Sequence, residues 1–249
     1  METGATSLLV LADSLAFHGP AKAMPADEPR LWCNIAAAEL GCAAELFAGF
    51  GWTTRDAWWA LTKDPRLWAR LPHASVVVLA VGNMDTLPSP LPSYLREGLR
   101  YLRPDWLRRW GRKAYLWAQP RLAKAWGGRP VALPPRVSVR YLEDCRSALL
   151  AVRPDLRVIA ILPGVHRAPA YAGVHTGYLP QRRAIQRWAH YHRVPLLDLA
   201  ALIGGHVLSG QGNPDGMHWG WAGHEIVGRA CAALIREVTE DGRSGPVSA

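Results

Sequence analysis

Three residues have the types and the order that nucleophilic catalysis needs: Ser14, Asp215 and His218. Ser14 closes the run Ser7-Leu8-Leu9-Val10-Leu11-Ala12-Asp13. An unbroken apolar run ended by Asp-Ser reads as a buried parallel strand whose carboxyl end carries the serine to the edge where open α/β sheets bind ligands. A serine hydroxyl is a poor nucleophile until a base takes its proton. Asp215-Gly216-Met217-His218 offers that base. A carboxylate and an imidazole three residues apart on one turn can face one pocket, with His218 taking the proton and Asp215 orienting the ring. Alone, Ser14 would read more readily as a helix cap; the downstream pair turns it into a triad candidate.

The elements that must hold these residues follow from the rest of the pattern. With 249 residues, 49% hydrophobic content and no Ser/Gly/Pro linker, residues 1–249 are expected to form one α/β domain with an ample core. Strands are expected at Ser7–Asp13, Glu45–Ala48, Ala74–Val81, Leu156–Leu162 and Pro195–Leu199, giving a five-stranded parallel sheet. Helices are expected at Leu31–Leu40, after the capping-box spacing Thr53-x-x-Asp56, and at Val137–Ala151, Gln181–His192 and Trp221–Val238. The third strand ends in Gly82-Asn83-Met84-Asp85, again polar groups at a strand's carboxyl end. The tail Asp241–Ala249 reads as disordered.

Charge is concentrated in one insert. Between Pro92 and Arg140 the sequence carries Arg96, Arg100, Arg103, Arg108, Arg109, Arg112, Lys113, Arg121, Lys124, Arg129, Arg136 and Arg140 against Glu97 and Asp105. Twelve cations less two acids is +10, so the remainder of a chain of net charge +9 carries −1. Trp106, Trp110, Trp117 and Trp126 with Tyr94, Tyr101 and Tyr115 lie among them, so the insert reads as two or three short amphipathic helices broken at Pro104, Pro120 and Gly127-Gly128. An acyl group held on a serine must be kept from water. The insert is therefore expected to fold over the Ser14 pocket as a helical cover, with Trp106 and Trp110 walling it and Arg108, Arg109 and Arg112 binding anionic parts of substrate; the alternative is a remote, solvated surface patch.

The order of these blocks resembles that of the SGNH (GDSL-type) hydrolase superfamily over nearly the whole chain. Ala12-Asp13-Ser14-Leu15 is similar to its first block, with Ala12 where glycine is usual, and Asp215-x-x-His218 to its last. The second block's glycine is Gly51; Gly82-Asn83-Met84-Asp85 is similar to Gly-x-Asn-Asp, with the asparagine one position early and Met84 in its usual place. The resemblance implies a flavodoxin-like three-layer sandwich. It also implies an oxyanion hole made by the N–H groups of Ser14 and Gly51 and the side chain of Asn83, each such donor commonly contributing about 10²–10³ in rate. A residue without Cβ would let the Gly51 N–H approach a reacting carbonyl. A narrower resemblance, carried by Ala12-Asp13-Ser14-Leu15-Ala16-Phe17-His18-Gly19-Pro20, the Trp- and Arg-rich insert and the length, is to actinobacterial octanoyltransferases that acylate glucosylglycerates early in methylglucose lipopolysaccharide synthesis. It implies octanoyl transfer from a thioester donor such as octanoyl-CoA to a sugar hydroxyl of an anionic glycoside, with no further cofactor.

Other polar residues are secondary candidates. His18 is placed to line the acyl site or to cap a loop; His166 and His175 lie in a Pro/Gly-rich loop at a strand's carboxyl end and are candidates to touch substrate. Cys33, Cys42, Cys145 and Cys231 have no Cys-x-x-Cys spacing, which argues for reduced thiols and against a metal site or disulfides. No apolar stretch approaches the ~20 residues that span a bilayer, so neither a targeting segment nor stable membrane insertion is expected, and the setting reads as cytoplasmic. The residues themselves leave a plain esterase or thioesterase open as the rival activity. A non-enzymatic protein that uses the basic aromatic insert only to bind nucleic acid or an anionic membrane is disfavoured, because no recognition motif accompanies the charge, and no nucleic-acid partner is expected. Oligomeric state is not legible.

Overall fold

The computed structural model describes residues 7–91, 98 and 101–241. Strand β1 (Ser7–Asp13) is buried along its whole length and runs between β2 (Ala43–Gly49) and β3 (Ala74–Ala80); β4 (Arg157–Leu162) and β5 (Leu196–Asp198) continue the sheet beyond β3. All pairings are parallel, in the order β2-β1-β3-β4-β5. The chain reverses its winding between β1 and β3, and it is outside the carboxyl ends there that such a sheet leaves its crevice.

Alternate residues of β1 serve two cores, which is why the strand must be apolar throughout. Leu8, Val10 and Ala12 pack on the side covered by α1 (Trp32–Glu39) and by the helices at Leu199–Ser209 and Trp221–Asp241. Leu9 and Leu11 pack on the opposite side against α2 (Thr54–Lys63), α3 (Pro65–Arg70) and the helices at Pro135–Val152 and Tyr178–His192. The start of α2 is fixed as its spacing suggests: Thr53 N–H and Thr53 Oγ1 both donate to Asp56 Oδ2, at 2.8 and 2.6 Å. All four cysteines are free thiols, three of them buried.

The insert departs from expectation. It forms α4 (Asp105–Ala125), a single helix that runs through Pro120 where a break is expected. Pro120 deprives the Leu116 carbonyl of its helical partner, but Leu116 is exposed, so water can take that carbonyl, and a surface helix tolerates the loss. Pro104 caps α4 and Gly127-Gly128 follow its end, as the sequence suggests. Arg136 and Arg140 fall outside the insert proper, on α5 (Pro135–Val152), the crossover helix between β3 and β4. The remaining helices are α6 (Tyr178–His192), α7 (Leu199–Ser209) and α8 (Trp221–Asp241); α3 and α7 are absent from the sequence reading. Tyr94, Arg96, Glu97, Arg100 and the polar tail beyond Asp241 lie outside the described residues.

Candidate active site

Ser14 stands at the carboxyl end of β1, where the chain bends into the 3₁₀ turn Ser14–Ala16. Asp13 makes the bend: its Oδ1 accepts the Leu15 N–H at 2.9 Å. The Ser14 carbonyl in turn accepts the N–H groups of Phe17 at 3.2 Å and His18 at 2.9 Å, so both sides of the serine are held by backbone.

His218 and Asp215 come from the loop before α8. Asp215 Oδ1 accepts the N–H groups of Met217 at 2.8 Å and His218 at 3.0 Å, closing a turn that orients its other oxygen, Oδ2, toward His218 Nδ1 at 2.5 Å. With an ionised acceptor there, Nδ1 carries the proton; Nε2 is left to accept the Ser14 hydroxyl at 2.9 Å. Burial alone would raise the Asp215 carboxyl, but hydrogen bonds from the His218 ring and from the Met217 and His218 N–H groups hold it well below the usual carboxylate range. Gly216 lets the loop close. Its φ is +73°, and a Cβ there would lie 2.9 Å from the Arg167 carbonyl carbon, while the Arg167 N–H donates to the Gly216 carbonyl at 2.9 Å. The loop after β4 thus straps the triad loop in place.

Four histidines surround this relay. The His18 ring stacks on His218, centroids 3.9 Å apart and planes 25° apart. Its Nδ1–H donates to the Gly19 carbonyl at 2.8 Å, leaving Nε2 as an acceptor; burial and the nearby His218 keep it below the ordinary histidine pKa. His224, assigned no role by sequence, is fully buried: its Nδ1 accepts the Trp32 N–H at 3.2 Å and its Nε2–H donates to the His18 carbonyl at 3.1 Å. It is a neutral strut under His18, its pKa pushed down to about 4 by burial. His175 Nε2–H donates to Thr86 Oγ1 at 2.7 Å, whose hydroxyl donates to the Asn83 carbonyl at 2.6 Å. His166, 4.1 Å from His175 between ring centroids, accepts the Ala168 N–H at 3.2 Å through Nδ1; its buried Nε2–H has no partner among the described residues. Burial pushes His166 to about 4 and His175 to about 3, so both are neutral donors.

Beside the triad runs a narrow, largely apolar cleft of about 20 Å³, bounded by Leu15, Asn83 and Leu87, the loop residues Gly164–His166 with His175, the α7 face Leu199, Ile203, Gly204 and Val207, and the triad's neighbours Met217 and Trp219. The oxyanion candidates stand around it. Asp13 pairs with Gly49 in the β1–β2 register, which brings the turn after β2 beside Ser14; Gly51 sits there with φ +69°. Asn83 Oδ1 accepts the Gly164 N–H at 2.8 Å, leaving its NH₂ as the donor, and Met84 approaches Gly51, where a Cβ would lie 3.8 Å from its terminal methyl.

The insert residues are not brought to the triad. Trp106 and Trp110 are largely exposed on α4; Arg108, Arg109 and Arg112 are exposed as well, with Arg108 paired to Asp105 at 3.1 Å, and none of the five lines the cleft. The cleft wall on α7 and the His224 strut are what the sequence reading missed. Leu199, Ile203 and Val207 at i, i+4 and i+8, with Asp198 just before them and Gly210 just after Ser209, are the sequence signals for α7; the structure shows Asp198 accepting the Ala201 N–H and Gly210 at φ +83°.

No family model matches the chain. Among solved structures, a lipase/acylhydrolase from Enterococcus faecalis superposes with a TM-score of 0.59 at 16% identity, covering 98% of this chain and 100% of that one. A protein described as a lipolytic member of the G-D-S-L family from Desulfitobacterium hafniense does so with 0.57 at 14% identity, over 92% and 99%. The fold is therefore that of the SGNH (GDSL-type) hydrolases, and the Ser14–His218–Asp215 relay stands where that fold's crevice opens. Sequence similarity is narrower and stronger. The chain is 48% identical over 231 residues to the diglucosylglycerate octanoyltransferase of Mycobacterium tuberculosis, covering 93% of this chain and 92% of that protein. It is also 48% identical over 234 residues to the enzyme of the same name from Mycolicibacterium hassiacum, covering 93% and 95%. The chain belongs to the diglucosylglycerate octanoyltransferase family and is an acyltransferase.

Proposed function

We propose that this enzyme moves an octanoyl group from a thioester donor, octanoyl-CoA, to a hydroxyl of diglucosylglycerate, by way of an acyl-enzyme on Ser14. The observation that carries the reading is the 2.9 Å contact between Ser14 Oγ and His218 Nε2 in a chain so similar to two octanoyltransferases. In the first half-reaction His218 Nε2 takes the Ser14 proton as Oγ bonds to the thioester carbonyl carbon. The carbon–sulfur bond then breaks, and His218 returns the proton to the departing thiol. In the second, His218 deprotonates the sugar hydroxyl as its oxygen attacks the acyl carbon. Ser14 leaves with that proton, and the product is an octanoyl ester. Asp215 keeps Nδ1 protonated and favours the transient imidazolium, while Ser14 N–H, Gly51 N–H and the Asn83 amide are the donors for the oxyanion.

The apolar cleft is the seat of the acyl chain. Each methylene removed from water there favours binding by about 0.8 kcal/mol, but the cleft as it stands has room for little more than a water molecule, so entry of an octyl chain displaces side chains. Met217, unbranched and adjacent to His218, is suited to move. His166 Nε2–H, buried and otherwise unpartnered, is a donor for the acceptor glycoside. A CoA donor places the reaction in the cytoplasm, at an early step of methylglucose lipopolysaccharide synthesis. Product analysis from octanoyl-CoA with and without diglucosylglycerate tests the reading. Acylated glycoside should dominate when acceptor is present; free octanoate as the main product at saturating acceptor would make the enzyme a thioesterase instead.

A further inference from the structure

The site leaves the tryptophans of α4 unused, and their placement is unusual for a folded helix. Trp106, Trp110 and Trp117 are 61%, 64% and 62% exposed. At ~100° per residue they share an arc of about 80° with Lys113, Arg121 and Lys124, forming one stripe along the outer face of the helix. Three indoles so exposed present on the order of 400 Å² of aromatic surface, a patch of the size that marks an interaction site. The inner side buries Gln119 and Ala123 and packs on the 3₁₀ turn Pro169–Tyr171, and the Thr176 hydroxyl donates to the Gly127 carbonyl at 3.0 Å, so the stripe is fixed to the loop that carries His166 and His175.

Among the described residues, no acid pairs with the lysines of this face. Asp105 is the one acid of α4 and is already paired with Arg108; Lys113 and Lys124 have no ion-pair partner among the described residues. The Arg121 guanidinium lies 4.1 Å over the Trp117 ring. Indoles interleaved with cations are what the headgroup region of an anionic bilayer selects, the rings sitting at the boundary of the acyl chains and the cations on phosphates. No described helix is long and apolar enough to cross a membrane, so the mode is docking on the surface.

We propose that α4 docks the protein on anionic lipid bilayers through Trp106, Trp110, Trp117, Lys113, Arg121 and Lys124. This rests on the exposed stripe and is independent of the reaction assigned to Ser14. The test is flotation of the full chain with vesicles of pure phosphatidylcholine and of phosphatidylcholine with about 30% phosphatidylglycerol, where each surface cation is worth about fivefold in partitioning. Binding is expected to the anionic vesicles alone, at low salt, and to be lost at high salt. Trp110→Ala with Trp117→Ala, and separately Lys113→Glu with Lys124→Glu, should each lower partitioning at least about tenfold at an unchanged melting temperature. If either pair unfolds the chain, Trp117→Phe decides: quenching of tryptophan emission by brominated lipid must fall relative to the unsubstituted chain. Failure of the unsubstituted chain to bind anionic vesicles overturns the proposal, including the case where it captures an acidic protein instead. So does undiminished binding by both folded variants, or undiminished quenching in Trp117→Phe.

Discussion

Asp13 shows how one residue can serve the site at a cost to the fold. It is buried beside Ser14; Oδ1 caps the turn through Leu15 N–H, while Oδ2 makes no hydrogen bond of good geometry among the described residues. Burial pushes its carboxyl up from 3.8 to about 6, offset in part by Leu15 N–H, the Asn83 side chain and His218. A carboxyl raised in the folded state binds its proton more tightly there than in the unfolded chain. Its contribution to stability is therefore full below about pH 4 and is lost as pH rises through about 6. The loss is on the order of 3 kcal/mol at neutral pH. Asp13→Asn should accordingly raise the melting temperature at pH 8 and bring less gain at pH 5, while lowering kcat because an anion near the His218 imidazolium is gone; thermal melts across that range check it, and a gain independent of pH would contradict it. His224 is the opposite case, a buried neutral ring with both nitrogens paired. His224→Phe leaves the Trp32 N–H and the His18 carbonyl unpaired, for an expected loss of about 2–4 kcal/mol measured by denaturant unfolding. Within the triad, Asp215→Asn should lower kcat by about 10⁴ and His218→Ala by at least as much, with the fold retained.

At the scale of elements, α7 walls the cleft proposed for the acyl chain, and its face is open to a direct test. Gly204 lies on the cleft between Ile203 and Val207, and a Cβ there would meet Val165 at 3.5 Å, ordinary contact. Ala is therefore tolerated, whereas Ile203→Trp fills the cleft and should shift the preferred donor from octanoyl to shorter chains, read as kcat/KM over an acyl-CoA series; an unchanged chain-length profile would remove the cleft from the account. The sheet and the strand-end residues were legible because their signals are local: an apolar run closed by Asp-Ser, and Asp-x-x-His on one turn. The α7 helix was not, because Leu199-Ala200-Ala201-Leu202-Ile203-Gly204-Gly205 follows β5 without a break in hydrophobicity and contains two successive glycines, poor helix formers second only to proline. The direction of the α4 tryptophans was illegible for another reason. Amphipathic spacing shows that a helix has two faces, and only the packing of Gln119 and Ala123 on the neighbouring turn shows which face is inside.

At the scale of the molecule, one doubly wound sheet brings the ends of β1, β2, β3 and β4 to a common edge and closes it with the loop before α8. Ser14, Gly51, Asn83 and His166 follow those strand ends, and Asp215 and His218 come from that loop. Residues two hundred positions apart meet because the closing helix packs against α1 beneath β1, with His224 bonded across that contact to Trp32 and His18. The same architecture serves hydrolases and this transferase family, so the triad by itself leaves the fate of the acyl group open; the bound acceptor decides it. The most direct measurement is the intact mass of the enzyme after brief exposure to octanoyl-CoA, followed by a chase with water or with diglucosylglycerate. A mass gain of one octanoyl group, absent in Ser14→Ala, is expected, with discharge by diglucosylglycerate at least about tenfold faster than by water. Normal turnover by Ser14→Ala, or discharge at the same rate with and without acceptor, would contradict transfer through Ser14.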